Sequence, residues 1–218
     1  MDNSVLKEYV EKNHLPIVQK RYHKYLTFEG VEDCYTYILK SGIVKASVIS
    51  KDGREFNLRY ITDLEIVSIL RDEYSQFIDS PYNIRVESET AEFYRINRVK
   101  FWKDINESPE FQRYVKDFYR YRLLYVMKKM QQMLLNGKLG AVCTQLYDLY
   151  DHFGVRTPDG IMIDFPVTNE EIAKFCGIST ASSVSRILKQ LKQNGIITIK
   201  NHRVFITNME LLEDNIIF

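Results

Sequence analysis

Residues 167–197, VTNEEIAKFCGISTASSVSRILKQLKQNGII, contain the signals that decide the fold of the C-terminal third of this chain. Thr168 followed by Glu171 is a capping box, which predicts the start of a helix, and Gly177 predicts its end. Ser179 is a second candidate N-cap and predicts another helix that runs to about residue 194. Because a single tight turn separates the two helices, the segment predicts a helix-turn-helix unit.

The second predicted helix presents two different faces. Its inward stripe is apolar and consists of Val184, Ile187, Leu188 and Leu191. The opposite face is polar and consists of Ser182, Arg186, Lys189 and Gln193. Residues 179–209 contain five Lys or Arg residues and no acidic residue, although a solvated helix face usually mixes both signs of charge. This local excess indicates a surface for a polyanion, even though the net charge of the whole chain is only +1.

The next residues, 195–207 with the sequence GIITIKNHRVFIT, predict a two-stranded hairpin, which makes the unit a winged helix-turn-helix. A helix of about fifteen residues is about 22 Å long and fits the major groove of double-stranded DNA. Arg186 is the candidate bidentate donor to guanine. The candidate contacts to base edges or phosphate at the start of the helix are Ser179, Thr180, Ser182 and Ser183. The candidate phosphate contacts are Lys189, Lys192, Lys200, His202 and Arg203.

The N-terminal half predicts an antiparallel β structure. A short helix-like start is followed, from about residue 17 to residue 98, by aromatic and β-branched runs that turn signals separate. These turn signals are Glu29-Gly30, Ser41-Gly42, Asp52-Gly53 and Ser80-Pro81. Short strands at this spacing are typical of an antiparallel roll or barrel. The Asp52-Gly53 pair predicts a hairpin with a type I′ turn.

A long helix is predicted between the two regions. Ser108 is a candidate cap, Pro109 suits the first helical position, and no helix breaker occurs before Asn136-Gly137. One apolar stripe consists of Phe111, Tyr114, Phe118 and Tyr125. A second, with the alternating spacing of a heptad seam, consists of Tyr119, Leu123, Val126, Met130 and Met133. The first stripe can pack on the chain's own β structure, so the second predicts pairing with a second copy; burial inside a monomer is the alternative.

These elements divide the chain into three parts. Residues 138–153 predict a further helix that ends at Gly154, and residues 160–165 predict a short strand before the helix-turn-helix. We therefore expect an α+β protein with an antiparallel β-roll sensor domain at 1–107, a long dimerisation helix at 108–137 and a winged helix-turn-helix DNA-binding domain at 138–218.

Composition excludes several other classes of protein. No apolar run approaches the roughly 20 residues that span a bilayer, and the start lacks the basic and apolar parts of a signal peptide, so we expect a cytoplasmic protein with no membrane partner. Cys34, Cys143 and Cys176 are too scattered for a disulfide framework and are expected to pack as small apolar groups. A cupin-like enzyme would need an HxH pair or clustered carboxylates, whereas the β region has only His23. We therefore predict neither an enzyme nor a metal site.

Several stretches resemble the Crp/Fnr family of transcription regulators. Residues 35–55, YTYILKSGIVKASVISKDGRE, are similar to the N-terminal sensor of that family, a jelly roll of the cyclic-nucleotide-binding type, and residues 167–197 are similar to its helix-turn-helix signature. Residues 136–161, NGKLGAVCTQLYDLYDHFGVRTPDGI, together with residues 182–193, resemble the PrfA-type members in particular. Ser182, Ser183 and Arg186 match the base-reading positions, although Ala181-Ser182 replaces the Arg-Glu pair of many members.

The resemblance implies how such a protein works. It implies a homodimer that is joined through the long helix, binds double-stranded DNA at a palindromic operator near promoters, engages RNA polymerase and acts mainly as an activator. A ligand-gated adaptor that uses the winged unit for protein contacts is the alternative function.

The resemblance also indicates which small molecules such a protein is expected to bind as an effector. Cyclic-nucleotide-binding members carry a Gly-Glu pair and an Arg-Ser pair, whereas here Glu65 has no preceding glycine and DSPYNI, residues 79–84, lacks the basic partner for a phosphate. A buried phosphate without a basic partner is hard to stabilise, which argues against cyclic AMP. PrfA-type members have a tunnel that takes glutathione or blocking peptides, and its matching positions here are Tyr60, Tyr125, Gln145 and Phe153. These residues imply an effector pocket for glutathione or a peptide; ordinary core packing is the alternative, and no other cofactor is predicted.

Overall fold

The computed structural model describes residues 2–30, 33–68 and 82–216. The predicted turn at Ser80-Pro81, with the position that a phosphate-binding residue would take, lies outside these residues. The chain forms two compact units, Met1–Leu123 and Leu124–Phe218. None of the helices in the described residues combines the length and the apolar character that a bilayer crossing requires.

The first unit contains a β-roll that follows a short helix, α1 (Ser4–Asn13). The strands of its described residues are β1 (Ile17–Arg21), β2 (Tyr25–Thr27), β3 (Tyr35–Ser41), β4 (Val44–Ile49), β5 (Glu55–Ile61), β6 (Glu65–Ile66), β7 (Asn83–Val86) and β8 (Thr90–Asn97). They form two four-stranded antiparallel sheets, in the orders β1-β8-β3-β6 and β2-β7-β4-β5. The predicted antiparallel roll is therefore confirmed.

Two apolar clusters stabilise the first unit. One draws on both sheets, and its buried members include Leu39, Val44, Ile61, Ile84 and Phe93. The other joins α1, a helix α2 (Arg98–Glu107) and the first part of a long helix α3 (Pro109–Leu135), and its buried members include Leu6, Val10, Phe101, Ile105 and Phe111. The rings of Phe101 and Phe111 meet edge to face with their centroids 5.6 Å apart. No helix was predicted for the segment that forms α2.

The hairpin predicted at Asp52-Gly53 is confirmed, but its turn is not of type I′. Ile49 of β4 pairs with Glu55 of β5, so residues 50–54 form the loop. The amide of Gly53 donates to the carbonyl of Ser50 at 2.8 Å, and Gly53 has a φ of 82°. Asp52 does not share the positive φ, whereas a type I′ turn needs it at both central residues. The longer loop therefore places one residue, the glycine, in the left-handed region.

The long helix begins where its sequence predicts. The Ser108 hydroxyl accepts a hydrogen bond from the amide of Phe111 at 3.2 Å, and Pro109 is the first helical residue. The members of the predicted inner stripe that are buried in the unit's own cluster are Phe111, Tyr114 and Phe118. Tyr125, the fourth member, is only partly buried and belongs to the second unit. The helix therefore uses one apolar stripe within the chain and keeps further apolar residues exposed.

The second unit is a winged helix-turn-helix. Its helices are α4 (Gly137–Phe153), α5 (Asn169–Cys176), α6 (Ala181–Gln193) and α7 (Met209–Glu213). Its strands are β9 (Gly154–Thr157), β10 (Gly160–Ile163), β11 (Ile197–Lys200) and β12 (Arg203–Ile206), in an antiparallel sheet of order β11-β12-β10-β9. The predicted helices, the β10 strand and the hairpin are confirmed, whereas β9 and α7 were not predicted. The buried residues of its core include Val142, Leu146, Leu149, Phe175, Leu188 and Leu212.

The prediction that all three cysteines pack as small apolar groups is wrong for one of them. Cys143 and Cys176 are buried in the second unit, whereas Cys34 is exposed just before β3. Burial raises the pKa of the Cys143 thiol to about 12, and it raises the pKa of the Cys176 thiol to about 12 as well. Because the thiolate is the nucleophile, both buried cysteines are unreactive at neutral pH.

We expect a thiol reagent to label one cysteine per folded chain at pH 8. Cys34 is exposed, whereas the pKa values of about 12 keep the thiols of Cys143 and Cys176 protonated at that pH. The measurement is the absorbance released by an aromatic disulfide reagent, first in buffer and then in urea. Cys34→Ala should remove the fast reaction, and urea should expose the two remaining thiols. Fast labelling of the Cys34→Ala variant in buffer would contradict this account.

Candidate nucleic-acid interface

The turn between α5 and α6 is built by local hydrogen bonds. The Thr168 hydroxyl accepts from the amide of Glu171 at 3.1 Å and caps α5. Gly177 ends the helix in the left-handed region, with a φ of 62°, and its amide donates to the carbonyl of Ala173. A residue with a Cβ atom is strained at that φ, so glycine allows the chain to turn sharply into α6.

The N-cap of α6 is Thr180, not Ser179 as its sequence predicted. The Thr180 hydroxyl accepts from the amide of Ser183 at 3.3 Å, and Thr180 has extended backbone angles. Ser179 lies one residue outside the helix. Both residues fit the composition of a cap, and only the length of the turn decides between them.

Hydroxyl groups form a small network at the start of α6. The hydroxyls of Thr180 and Ser183 are 2.9 Å apart, and the Ser182 hydroxyl donates to that of Thr180 at 3.2 Å. Arg186 Nη2 donates to the Ser183 hydroxyl at 3.3 Å. These bonds hold the candidate base-reading groups Ser182, Ser183 and Arg186 together on one end of the helix. An arginine held in this way loses less conformational freedom when it binds a ligand.

Along the rest of α6, one face is buried and the opposite face is exposed, as the periodicity of the sequence predicts. Val184, Leu188 and Leu191 are buried, and Ile187 is partly buried. The residues of the opposite face that are exposed are Ser182, Arg186, Lys189 and Gln193. The polar face is therefore free of packing within the second unit and is available to a partner.

The wing is a tight hairpin whose cations have acidic partners. Lys200 pairs with Arg203 across the strands, and Asn201 and His202 form the loop with φ values of 49° and 60°, as a type I′ turn requires. Lys200 Nζ lies 2.7 Å from an oxygen of Asp159, and Arg203 Nη2 lies 3.7 Å from an oxygen of Asp164.

Residues 179–209 contain no acidic residue, so the sequence of this segment gave no sign of the acidic partners of the wing. Asp159 belongs to the turn between β9 and β10, and Asp164 follows β10. Only the sheet order, which places β10 beside β12, brings them near the wing. Ion pairs this exposed contribute little stability, so they leave both cations able to turn to a phosphate.

The four candidate effector residues belong to different units. Tyr60 is buried in β5 of the first unit, and the other three belong to the second. The Tyr125 hydroxyl donates to Asp148 at 3.2 Å, and Gln145 Oε1 accepts from Lys129 at 3.5 Å. The ring of Phe153 stacks on that of Phe165, with the centroids 4.4 Å apart. Each residue thus has contacts within its own unit, and their joint role in one pocket stays a prediction.

Glu65, the residue at the cyclic-nucleotide position, is held by two arginines. Its carboxylate accepts from Arg59 Nη1 at 3.2 Å and also pairs with Arg122, while the side chain is only 10% exposed. A buried carboxylate between two guanidinium groups has its charge balanced inside the protein. In the ranges 2–30, 33–68 and 82–216, no group of three or more His, Cys, Asp or Glu side chains is arranged to hold a metal ion.

A β-roll with a winged helix-turn-helix defines a class of DNA-binding regulators. Residues 140–214 match the family model of the Crp-like helix-turn-helix domain. The chain is 50% identical over 215 residues to the lactate racemization regulatory protein of Lactiplantibacillus plantarum, which covers 99% of this chain and 97% of that protein. It is 34% identical over 217 residues to the listeriolysin regulatory protein of Listeria monocytogenes, which covers 95% of this chain and 87% of that protein.

Two solved structures share the fold at low sequence identity. FixK2 from Bradyrhizobium japonicum has a TM-score of 0.76 at 16% identity and covers 92% of this chain and 96% of that one. The c-di-GMP-responsive global regulator CLP from Xanthomonas campestris has a TM-score of 0.78 at 18% identity and covers 95% of this chain and 100% of that one. The chain belongs to the Crp/Fnr family of transcription regulators. It is a DNA-binding transcription regulator of PrfA-like type and not an enzyme.

We expect Thr180→Ala to lower the free energy of unfolding by about 1 kcal/mol, because the first turn of α6 loses its side-chain cap. Ser179→Ala is the matched control, since Ser179 stands one residue outside the helix, and it should stay within about 0.5 kcal/mol of the parent. Urea unfolding without DNA measures both variants. Equal losses for the two variants, or a larger loss for Ser179→Ala, would show that the cap has been assigned to the wrong residue.

Proposed function

We propose that this regulator acts as a homodimer, joined through the long helix of residues 108–137, that binds a palindromic operator near promoters. It works in the cytoplasm, where it engages RNA polymerase, and acts mainly as an activator. The observation that carries the proposal is the apolar surface of α3 combined with the polar, basic face of α6. The first surface needs a partner of its own kind, and the second needs a polyanion.

The exposed side of α3 has the composition of a dimer interface. Its exposed large apolar residues include Leu123, Leu124, Val126, Met127, Met130, Leu134 and Leu135. Leu123 is 61% exposed and Leu134 is 76% exposed. Burying one such side chain is worth about 1.5 to 3 kcal/mol, so a continuous apolar stripe of this length favours association. The same helix from a second copy offers a matching stripe, which supports a two-fold dimer.

A two-fold dimer sets the form of the operator. Two identical α6 helices would meet half-sites about one helical turn, roughly 34 Å, apart. Arg186 would read a guanine, and the hydroxyls of Ser179, Thr180, Ser182 and Ser183 would meet base edges or phosphate. The phosphate contacts would come from Lys189, Lys200, His202 and Arg203.

An effector other than cyclic AMP is the second part of the proposal. Glutathione or a peptide would bind near Tyr60, Tyr125, Gln145 and Phe153, as the resemblance to PrfA-type members implies. The pairing of Glu65 with Arg59 and Arg122 supports the exclusion of cyclic AMP, because that carboxylate already has cationic partners. The name of the Lactiplantibacillus plantarum relative makes lactate racemization the first process to examine for regulation by this chain.

Selection of bound duplexes from a random pool tests the function directly. The selection is run at two salt concentrations, with and without reduced glutathione, so that specificity, operator symmetry and effector dependence are read together. A palindromic consensus is the expected result. Failure to retain any duplex at low salt would favour the alternative adaptor, whose winged unit contacts a protein instead.

Arg186→Ala should weaken binding to the selected operator by about 1 to 3 kcal/mol and relax the preference at one base position. Lys189→Ala is the comparison variant, because an exposed lysine that meets phosphate should weaken binding to all sequences alike and reduce the salt slope by about one. Fluorescence anisotropy on the operator and on a scrambled duplex measures both effects. If Arg186→Ala kept the parent's preference between the two duplexes, Arg186 would not be the base reader.

Met130→Glu should convert the dimer to a monomer, since it places a charge in the apolar stripe of α3. Met130 is 55% exposed within the chain, so the substitution leaves the monomer's own core intact. Gln131→Glu, at an exposed neighbouring position, is the matched control and should remain dimeric. Sedimentation equilibrium gives the mass of each variant, and an unchanged mass for Met130→Glu would exclude this surface as the interface.

A further inference from the structure

A buried ammonium group connects α3 to the DNA-binding helices. Lys129 lies on α3, and its side chain is only 12% exposed. Its Nζ atom is 2.9 Å from Asp148 Oδ2 and 3.5 Å from Gln145 Oε1, both on α4. It also lies over the ring of Phe175 on α5, 5.3 Å from the centroid. A single charge on α3 therefore contacts both α4 and α5.

The contact is reinforced by a second residue of the same helix. Tyr125, one turn before Lys129 on α3, donates its hydroxyl to Asp148 at 3.2 Å. The Lys129 ammonium is also 5.8 Å from the centroid of the Tyr125 ring. Asp148 thus accepts from two side chains of α3, which fixes the rotation of α3 against α4 more closely than one bond would.

The link continues to the recognition helix through α5. Phe175 is buried, and its neighbour Cys176 donates its thiol to the carbonyl of Ala141 on α4 at 3.3 Å. The turn at Gly177 and the cap at Thr180 are the next structural features along the chain, and they begin α6. Contacts made by Lys129 therefore reach the recognition helix through one buried ring and one short turn.

Lys129 keeps its charge in this environment. Burial by itself lowers the pKa of a lysine, but the charge of Asp148 and the hydrogen bond to it outweigh that effect, so the pKa of Lys129 is raised. The Lys129 ammonium keeps all of its contacts only when the helices that carry its partners stay in one relative placement, because a shift of either helix leaves a polar group unpaired. An apolar side chain of similar length would fill the same space but would not require polar partners at fixed positions.

We propose that Lys129 and Asp148 are positioning residues that set the half-site spacing the dimer accepts; this rests on the proposed homodimer and its palindromic operator. In that dimer the two α3 helices define the two-fold axis, and the link from Lys129 to Asp148 and Phe175 orients each α6 against it. A change in that orientation moves the two recognition helices in opposite directions. One base pair corresponds to about 3.4 Å, so shifts of a few ångströms are enough to change the preferred spacing.

The test uses the full chain and three synthetic operators. One has the selected spacing, and the others have the central spacer lengthened or shortened by one base pair. Fluorescence anisotropy at fixed salt gives the Kd of the parent, of Lys129→Met and of Lys129→Arg on each duplex. Lys128→Met, at the exposed neighbouring position, is the matched control. Sedimentation equilibrium is measured for every variant.

The parent and Lys128→Met should prefer the selected spacing by about tenfold or more, the size of a mismatch effect. Lys129→Met should reduce that ratio to about threefold or less while it remains a dimer and binds non-specific DNA as the parent does. Lys129→Arg keeps the charge and should retain most of the preference. A merely structural residue would change stability or all three affinities together, and leave their ratio unchanged.

The outcomes separate the two proposals. If dimeric Lys129→Met kept the spacing preference of the parent, the positioning role would be wrong. If Lys129→Met did not fold, the same assay would be run on the double variant Lys129→Met with Asp148→Leu, which also removes the unpaired carboxylate. The spacing preference of that double variant would then test the positioning role. If the parent itself were monomeric or bound no palindrome, the proposed function would fail before any variant was compared.

Discussion

The orientation of α6 depends on the burial of three apolar side chains. Val184, Leu188 and Leu191 are buried on one side of the helix, which packs on α4, α5 and β11. Because these positions repeat with helical spacing, burying them leaves the side with Arg186 exposed to solvent. The turn at Gly177 and the cap at Thr180 then decide where that exposed side begins. The exposed polar face of α6, which is the proposed DNA-binding surface, is thus a geometric consequence of an apolar contact on the opposite side of the helix.

Buried charged pairs occur in both units, and their effect differs from that of the apolar contacts. In the first unit Glu65 pairs with Arg59 and Arg122, and in the second Lys129 pairs with Asp148. Such pairs add little net stability, because the cost of removing charges from water offsets much of their attraction. What they provide is direction, since a charge inside a protein is satisfied only by partners at fixed places. Both pairs include a residue of α3, so this helix is tied by polar contacts within each unit.

The parts of the structure that sequence patterns predicted are those that local rules decide. The Thr168 cap, the Ser108 cap and the Gly177 turn depend on residues within a few positions of one another, and the structure has all three. The contacts between Lys200 and Asp159, or between Glu65 and Arg122, join residues about 40 and 57 positions apart, so only the completed fold reveals them. The error at Ser179 arose because two neighbouring residues both satisfied the rule for a cap, and the error at Asp52-Gly53 arose because the loop is longer than two residues. Strand β9 carries no alternation of apolar and polar residues, and it pairs because β10 lies beside it.

The same helix can join a dimer and orient a DNA-binding unit only if its faces are chemically separate. On α3 the exposed positions toward the C-terminal half include the apolar Val126, Met127 and Met130, while the Lys129 side chain between them is mostly buried against α4 and α5. An apolar interface tolerates small sliding, because dispersion contacts have little directional preference. A charge that is held by an aspartate and an aromatic ring does not tolerate such sliding, because its partners lie at fixed places. In the proposed dimer, the apolar contact between the two α3 helices can slide slightly, whereas the polar contact of Lys129 inside each copy cannot. When the dimer binds DNA, we therefore expect the two copies to shift against each other while each recognition helix keeps its orientation to α3.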